Sequence, residues 1–131
     1  MAEILKGIVV LAVEDDPEAL VSMWMAMADR GAVVLPAPDA TEALDALTRV
    51  TPHVLVADMQ MPERDGGWLV TEARRQGLLN GVPTLVVTGQ TLTQQEVQEA
   101  GFDAYLCKPV DPTVLCETVR ELARPSTQLS S

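Results

Sequence analysis

Four short stretches of this 131-residue chain place reactive side chains directly after apolar runs. Glu14-Asp15-Asp16 follows Ile8–Val13, Asp58 follows Val54–Ala57, Thr88-Gly89 follows Thr84–Val87, and Lys108-Pro109 follows Ala104–Cys107. A helix led by Pro17 explains Asp16 as a cap. It does not explain Asp58, which leads into Met59-Gln60-Met61-Pro62, nor Lys108 at the end of an apolar run. If Glu14, Asp15 and Asp58 face one another, two carboxylates about 4 Å apart repel by roughly 4 kcal/mol at an effective dielectric of 20. Three cannot all stay ionised without compensation. Three carboxylates and Lys108 leave a charge of −2, which one divalent cation neutralises. Oxygen-only donors call for a hard ion, and few protein ligands with room for water favour magnesium over calcium. A phosphoryl group is the chemical partner of such an ion, with a lysine and a hydroxyl to hold its remaining oxygens.

For these residues to meet, the apolar runs must be neighbouring strands of one sheet. The runs are too continuous for strands with one wet face and fit buried parallel strands, with Ala32–Leu35 as a fifth. Between them lie amphipathic segments with legible starts. Asp16-Pro17 and Asp111-Pro112 pair a capping carboxylate with proline at the first helical position, and Asp39 with Glu42 and Thr93 with Glu96 have capping-box spacing. Leu20, Met23, Trp24 and Met27 share one face of the first helix, Leu115, Val119 and Leu122 one face of the last, and Met25 is expected to pack against the sheet as well. Gly31 suits the end of the first helix. Trp68 is expected to be half-buried at the start of the third. Strand and helix alternating five times predict an α/β doubly wound sheet, in which ligands bind beyond the carboxyl ends of the strands.

Nine Lys and Arg against nineteen Asp and Glu give a net charge of −10, and no basic face for nucleic acid or anionic lipid is visible. No stretch approaches the length of a membrane span and the first apolar run ends in acids, so no signal peptide and no membrane partner are expected, and a cytoplasmic location is. Cys107 and Cys116 have neither CxxC nor Cys/His spacing, and are expected to be reduced and mostly buried. His53 stands alone, which argues against a zinc site or a Ser-His-Asp hydrolase. Residues 1–125 form one domain, and 126–131 read as a polar tail or cut linker.

Val13-Glu14-Asp15-Asp16-Pro17, Ala57-Asp58-Met59-Gln60-Met61-Pro62 with Asp65-Gly66, Val87-Thr88-Gly89, and Tyr105-Leu106-Cys107-Lys108-Pro109 together resemble the receiver domain of two-component response regulators. The resemblance spans about Gly7 to Ala123 and implies a flavodoxin-like five-stranded parallel sheet of order 2-1-3-4-5 with five helices. It implies that Asp58 takes a phosphoryl group from a phosphohistidine on a histidine kinase or histidine phosphotransfer protein. It further implies that Asp15, Asp58 and the backbone carbonyl of Gln60 bind Mg2+ directly, with Glu14 acting through water. Thr88 and Lys108 would hold phosphoryl oxygens, and Tyr105 would swing inward as Thr88 moves. Gln60 and Gln90 occupy positions linked to the hydrolysis rate of the acyl phosphate. Such a protein is a switch with autodephosphorylation, not a turnover enzyme.

Glu14 stands where many relatives have aspartate, one methylene longer. The stretches Leu5-Lys6-Gly7 and Gly101 to Pro112 look similar to receivers at the end of hybrid sensor kinases. A degenerate receiver used only for docking would lack Asp58, Lys108 or the acidic pair, all of which are present. An aspartyl phosphatase would need a second acid and a cap domain. A flavin-binding protein would need a phosphate-cradling loop where this chain has three acids.

Overall fold

The computed structural model describes residues 3–124, so the segment 126–131 and Pro125 lie outside the described residues. The order is β1 (Val9–Val13), α1 (Pro17–Ala28), β2 (Val33–Ala37), α2 (Ala40–Leu47), β3 (Val54–Asp58), α3 (Gly66–Arg75), β4 (Thr84–Thr88), α4 (Gln94–Glu99), β5 (Ala104–Cys107) and α5 (Pro112–Ala123). All strand pairs are parallel and the sheet order is β2-β1-β3-β4-β5. The α/β doubly wound sheet, its order and its five helices are therefore those the residues and the resemblance predict.

Both faces of the sheet are covered, which is why β3 and β4 are buried at every residue. Side chains alternate across the sheet. Leu11, Val13, Leu55, Ala57 and Val86 join Leu69, Val70 and Ala73 of α3, while Val10, Ala12, Val56 and Val87 join Met23 and Met27 of α1 and Leu115 and Val119 of α5. Strand boundaries move in a way that matters for the site. β3 extends through Asp58 and β4 through Thr88, so both are the last paired residues of their strands. β2 runs one to two residues later than expected and includes Pro36, tolerated because β2 is an edge strand.

The caps are only partly those expected. Thr93 and Glu96 form a complete capping box, and the Asp111 carboxylate accepts from the Thr113 and Val114 amides. Asp39 accepts from the Glu42 amide, half of a box. Asp16 makes no side-chain cap at all. Gly31 follows α1 with φ +98, in the left-handed region that ends helices. On α1, Met23 and Met27 are buried, but Trp24 is 42% exposed and Met25 61%, correcting the expectation that both pack inward. A twelve-residue helix on a sheet can bury only one stripe, and Met23 and Met27 occupy it. Cys116 is buried but Cys107 is exposed, because β5 is the other edge of the sheet. Trp68 is half-buried, as expected.

Candidate functional site

The carboxyl ends of β1, β3, β4 and β5 converge on one cleft. Glu14 directly follows β1 and Asp58 ends β3, the strand hydrogen-bonded beside it. Both side chains are almost wholly buried, at 2% and 4% exposure. Asp15 is less covered than either. One carboxylate oxygen of each of the three lies within 4.8 Å of the others, so the sequence-predicted acids meet.

Lys108 reaches the cleft from the far edge of the sheet, where its backbone amide donates to the Thr88 carbonyl at 2.7 Å. Its ammonium lies 3.0 Å from Glu14 Oε2 and 3.2 Å from Asp58 Oδ2. Glu14 Oε1 accepts from the Asp16 amide at 3.2 Å. Both Glu14 oxygens are thus occupied, one by the chain entering α1 and one by Lys108, a contact that the resemblance did not include. Asp58 Oδ1 accepts from the Gln60 amide at 3.1 Å, which fixes the turn that carries the Gln60 carbonyl. Thr88 is fully buried, its hydroxyl oxygen accepts from the Gln90 amide at 3.1 Å, and among the described residues its hydroxyl donates to none. Gln60 and Gln90 are exposed, and line one open pocket with Met59, Pro62 and Asp65 beside the ends of β3 and β4. Tyr105 sits half-buried in β5, opposite Val86, against the core on the α3 side.

Burial pushes the Glu14 carboxyl up to about 7, against the opposing pull of Lys108 and the Asp16 amide and with reinforcement from Asp58. For Lys108, burial works against the charge, but its bonds to Glu14 and Asp58 outweigh it and hold the ammonium above its ordinary value. The cleft is therefore an anionic site with one resident positive charge. Its donors are all oxygens, from two buried carboxylates and one more open one, a set that fits a small hard divalent cation.

The loop between β3 and α3 holds a feature that the residue types alone did not mark. Asp65 caps α3 by accepting from the Trp68 amide at 2.8 Å, and the Gly66 amide donates to the Met59 carbonyl at 3.3 Å. Gly66 itself is packed against the backbone of Asp58. The Asp65-Gly66 step was the only sequence signal for this arrangement, and a cap followed by glycine is common enough to pass unnoticed. Among the described helices, none is long and apolar enough to cross a membrane.

Residues 10–120 match the family described as the response regulator receiver domain. The chain is 37% identical over 114 residues to an uncharacterized 14.6 kDa protein in the sodA1 3′ region of Leptolyngbya boryana, covering 86% of this chain and 87% of that one. It is 32% identical over 115 residues to Response regulator Rre1 of Synechocystis sp., covering 86% of this chain but 50% of that protein. It thus spans about half the length of that response regulator. The solved receiver domain of sensor histidine kinase PA1611 from Pseudomonas aeruginosa PAO1, described with a magnesium ion coordinated in its active site cleft, shares the fold at a TM-score of 0.81 and 24% identity, covering 89% of this chain and 98% of that one. With the sheet order and the convergence of acids and lysine already seen, the match over residues 10–120 shows that the chain belongs to the response regulator receiver domain family.

Proposed function

We propose that this receiver takes a phosphoryl group onto Asp58 from a phosphohistidine of a histidine kinase or histidine phosphotransfer protein, with Mg2+ as cofactor. The observation that carries the proposal is the placement of Asp58: nearly buried at the end of β3, 3.2 Å from Lys108, with carboxylates of Glu14 and Asp15 beside it. An Asp58 carboxylate oxygen forms the new P–O bond as the P–N bond to histidine breaks, and the departing imidazole nitrogen keeps the electron pair and takes up a proton. Asp15, Asp58 and the Gln60 carbonyl would hold the metal, with Glu14 acting from behind through water. Bound there, the ion would neutralise charge on the phosphoryl oxygens during transfer. Magnesium in the cleft of the PA1611 receiver supports this assignment.

Once Asp58 is modified, Lys108 and Thr88 are placed to hold phosphoryl oxygens. Lys108 already touches Asp58, and among the described residues the Thr88 hydroxyl donates to none. Drawing Thr88 toward the phosphoryl group opens space behind it, which Tyr105 in the adjoining strand can fill. The result is a shift between two states of the surface built by α4 and β5, ended by hydrolysis at a rate that Gln60 and Gln90 tune from beside the ends of β3 and β4. The protein is a switch and not a turnover enzyme.

The test is intact mass after incubation with a small phosphodonor and magnesium. The wild type gains one phosphoryl group, Asp58→Asn gains none, and chelation of magnesium abolishes the gain. A wild type that gains nothing, or an Asp58→Asn variant that gains as much, overturns the assignment.

A further inference from the structure

We propose that Gly66 is a positioning residue for phosphoryl transfer, a role that rests on the phosphoacceptor function of Asp58 proposed above. The Cα of Gly66 abuts the strand end that carries Asp58. A Cβ built there would lie 2.6 Å from the Asp58 carbonyl oxygen, 3.3 Å from its carbonyl carbon and 3.3 Å from Cζ of Phe102. The first distance, carbon to oxygen, is shorter than real Cβ atoms essentially ever show, so something must shift. The obstacle is backbone, which cannot swing aside as a side chain can.

The seat is closed on its other sides. Phe102 behind Gly66 is buried, Leu69 and Val70 anchor α3 in the core without exposure, and the Asp65 cap and the Gly66–Met59 hydrogen bond fix the loop. A methyl group at position 66 must therefore push either the start of α3 or the end of β3. Asp58 is the last paired residue of β3 and Met59 is held to β4 only by its amide bond to the Val87 carbonyl at 3.0 Å, so the strand end shares the displacement with the start of α3. Asp58 then moves relative to Lys108 by about half an ångström, the tolerance within which a reacting constellation must be held. A displacement of about 1 Å can slow a reaction on the order of a hundredfold, so roughly tenfold is expected here. Only the absence of a side chain at 66 lets α3 start hard against the phosphoacceptor strand.

Gly67 supplies the control. A Cβ there meets only Asp65 Oδ1, at 3.3 Å, the tip of a side chain that can give by a few tenths of an ångström while still accepting from the Trp68 amide, and no backbone. The experiment measures the rate of Asp58 phosphorylation by a small phosphodonor at saturating magnesium, and the magnesium affinity of the unphosphorylated protein by tryptophan fluorescence, each well below the melting temperature of every variant. In Gly66→Ala the rate falls about tenfold and magnesium binds more weakly, while Gly67→Ala stays within twofold of wild type in both. Adding Phe102→Leu to Gly66→Ala, which lets α3 retreat, restores part of the rate. A purely structural role lowers the melting temperature and leaves the rate and affinity of the folded protein unchanged; that result overturns the proposal. So does an equal fall in Gly67→Ala. If Gly66→Ala does not fold, the double variant Gly66→Ala/Phe102→Leu is compared with Phe102→Leu alone: a slower rate in the double variant supports the proposal and equal rates overturn it. A wild type that takes no phosphoryl group removes the phosphoacceptor reading and this inference together, whereas a phosphorylated wild type matched by Gly66→Ala removes this inference alone.

Discussion

Lys108 is the residue on which the resting site turns, because a single ammonium is shared by two buried carboxylates. It occupies, with one charge, space that a divalent cation would share. Removing it takes a positive charge from within 3.0–3.2 Å of Glu14 and Asp58. Lys108→Ala should therefore bind magnesium more tightly, by roughly tenfold, a factor worth about 1.4 kcal/mol after screening at this partly open position. The same variant should lose the conformational response to phosphorylation. Calorimetric titration of magnesium and a comparison of spectra with and without phosphodonor check the two halves; weaker magnesium binding, or an intact response, contradicts the role given to Lys108. Glu14 sets a pH dependence. Its carboxyl keeps a proton up to about 7 in the folded protein, against 4.5 ordinarily. Between those values the folded state binds more protons than the unfolded one, so stability in the absence of metal falls as pH rises across that window and levels off above it. Glu14→Gln removes this slope. Melting temperatures of the two proteins in chelator, taken from pH 4.5 to 7, should lie closest at low pH and separate toward pH 7 as the wild type falls; a constant difference would show that Glu14 does not hold the proton.

The elements deliver these side chains by ending where they do. Asp58 and Thr88 are last in β3 and β4, and Lys108 is the first residue beyond β5, so parallel pairing brings acid, hydroxyl and ammonium to one end of the sheet. α3 is the element most tightly bound to this arrangement, through the Asp65 cap and Gly66. Asp65→Ala should lower stability by about 1 kcal/mol, as loss of an N-terminal cap does. It should also slow phosphorylation by less than Gly66→Ala does, because it frees the first turn of α3 without forcing an atom against Asp58. Denaturant titration gives the first quantity and the intact-mass assay the second. α1 shows the opposite case: its exposed Trp24 and Met25 follow from a helix that covers only one side of a flat surface.

At the scale of the molecule, the sheet is a rigid bench with acids at one end, and the surrounding core keeps it so. Leu55 and Leu85 are fully buried on opposite faces of the sheet. Leu55→Ala should destabilise by about 2–5 kcal/mol through lost burial and the cavity left behind. Magnesium should work the other way, since the proposed site is assembled in the folded cleft and absent from the unfolded chain. At a concentration near 100 times its dissociation constant it stabilises by about 2.7 kcal/mol. Thermal melts with magnesium or chelator measure this, and Asp15→Asn should cancel most of the gain. An equal gain in that variant would place the ion elsewhere.

The sequence by itself determined the alternation of strand and helix, the sheet order through its resemblance, and the residues that meet in the cleft. It could do so because buried parallel strands leave continuous apolar runs, and a charged residue at the end of such a run has few structural reasons to be there. Glu14, Asp15, Asp58, Thr88 and Lys108 were legible on that ground. Cys107 and Trp24 were not, because exposure depends on which strand lies at the edge and which helical stripe meets the sheet. Tertiary structure alone decided that Glu14 spends one oxygen on Asp16 and the other on Lys108, and that Gly66 lies against the Asp58 carbonyl. Those are distances between parts of the chain that sequence spacing does not encode: a lysine 94 residues from its partner, and a glycine whose importance is the atom it lacks.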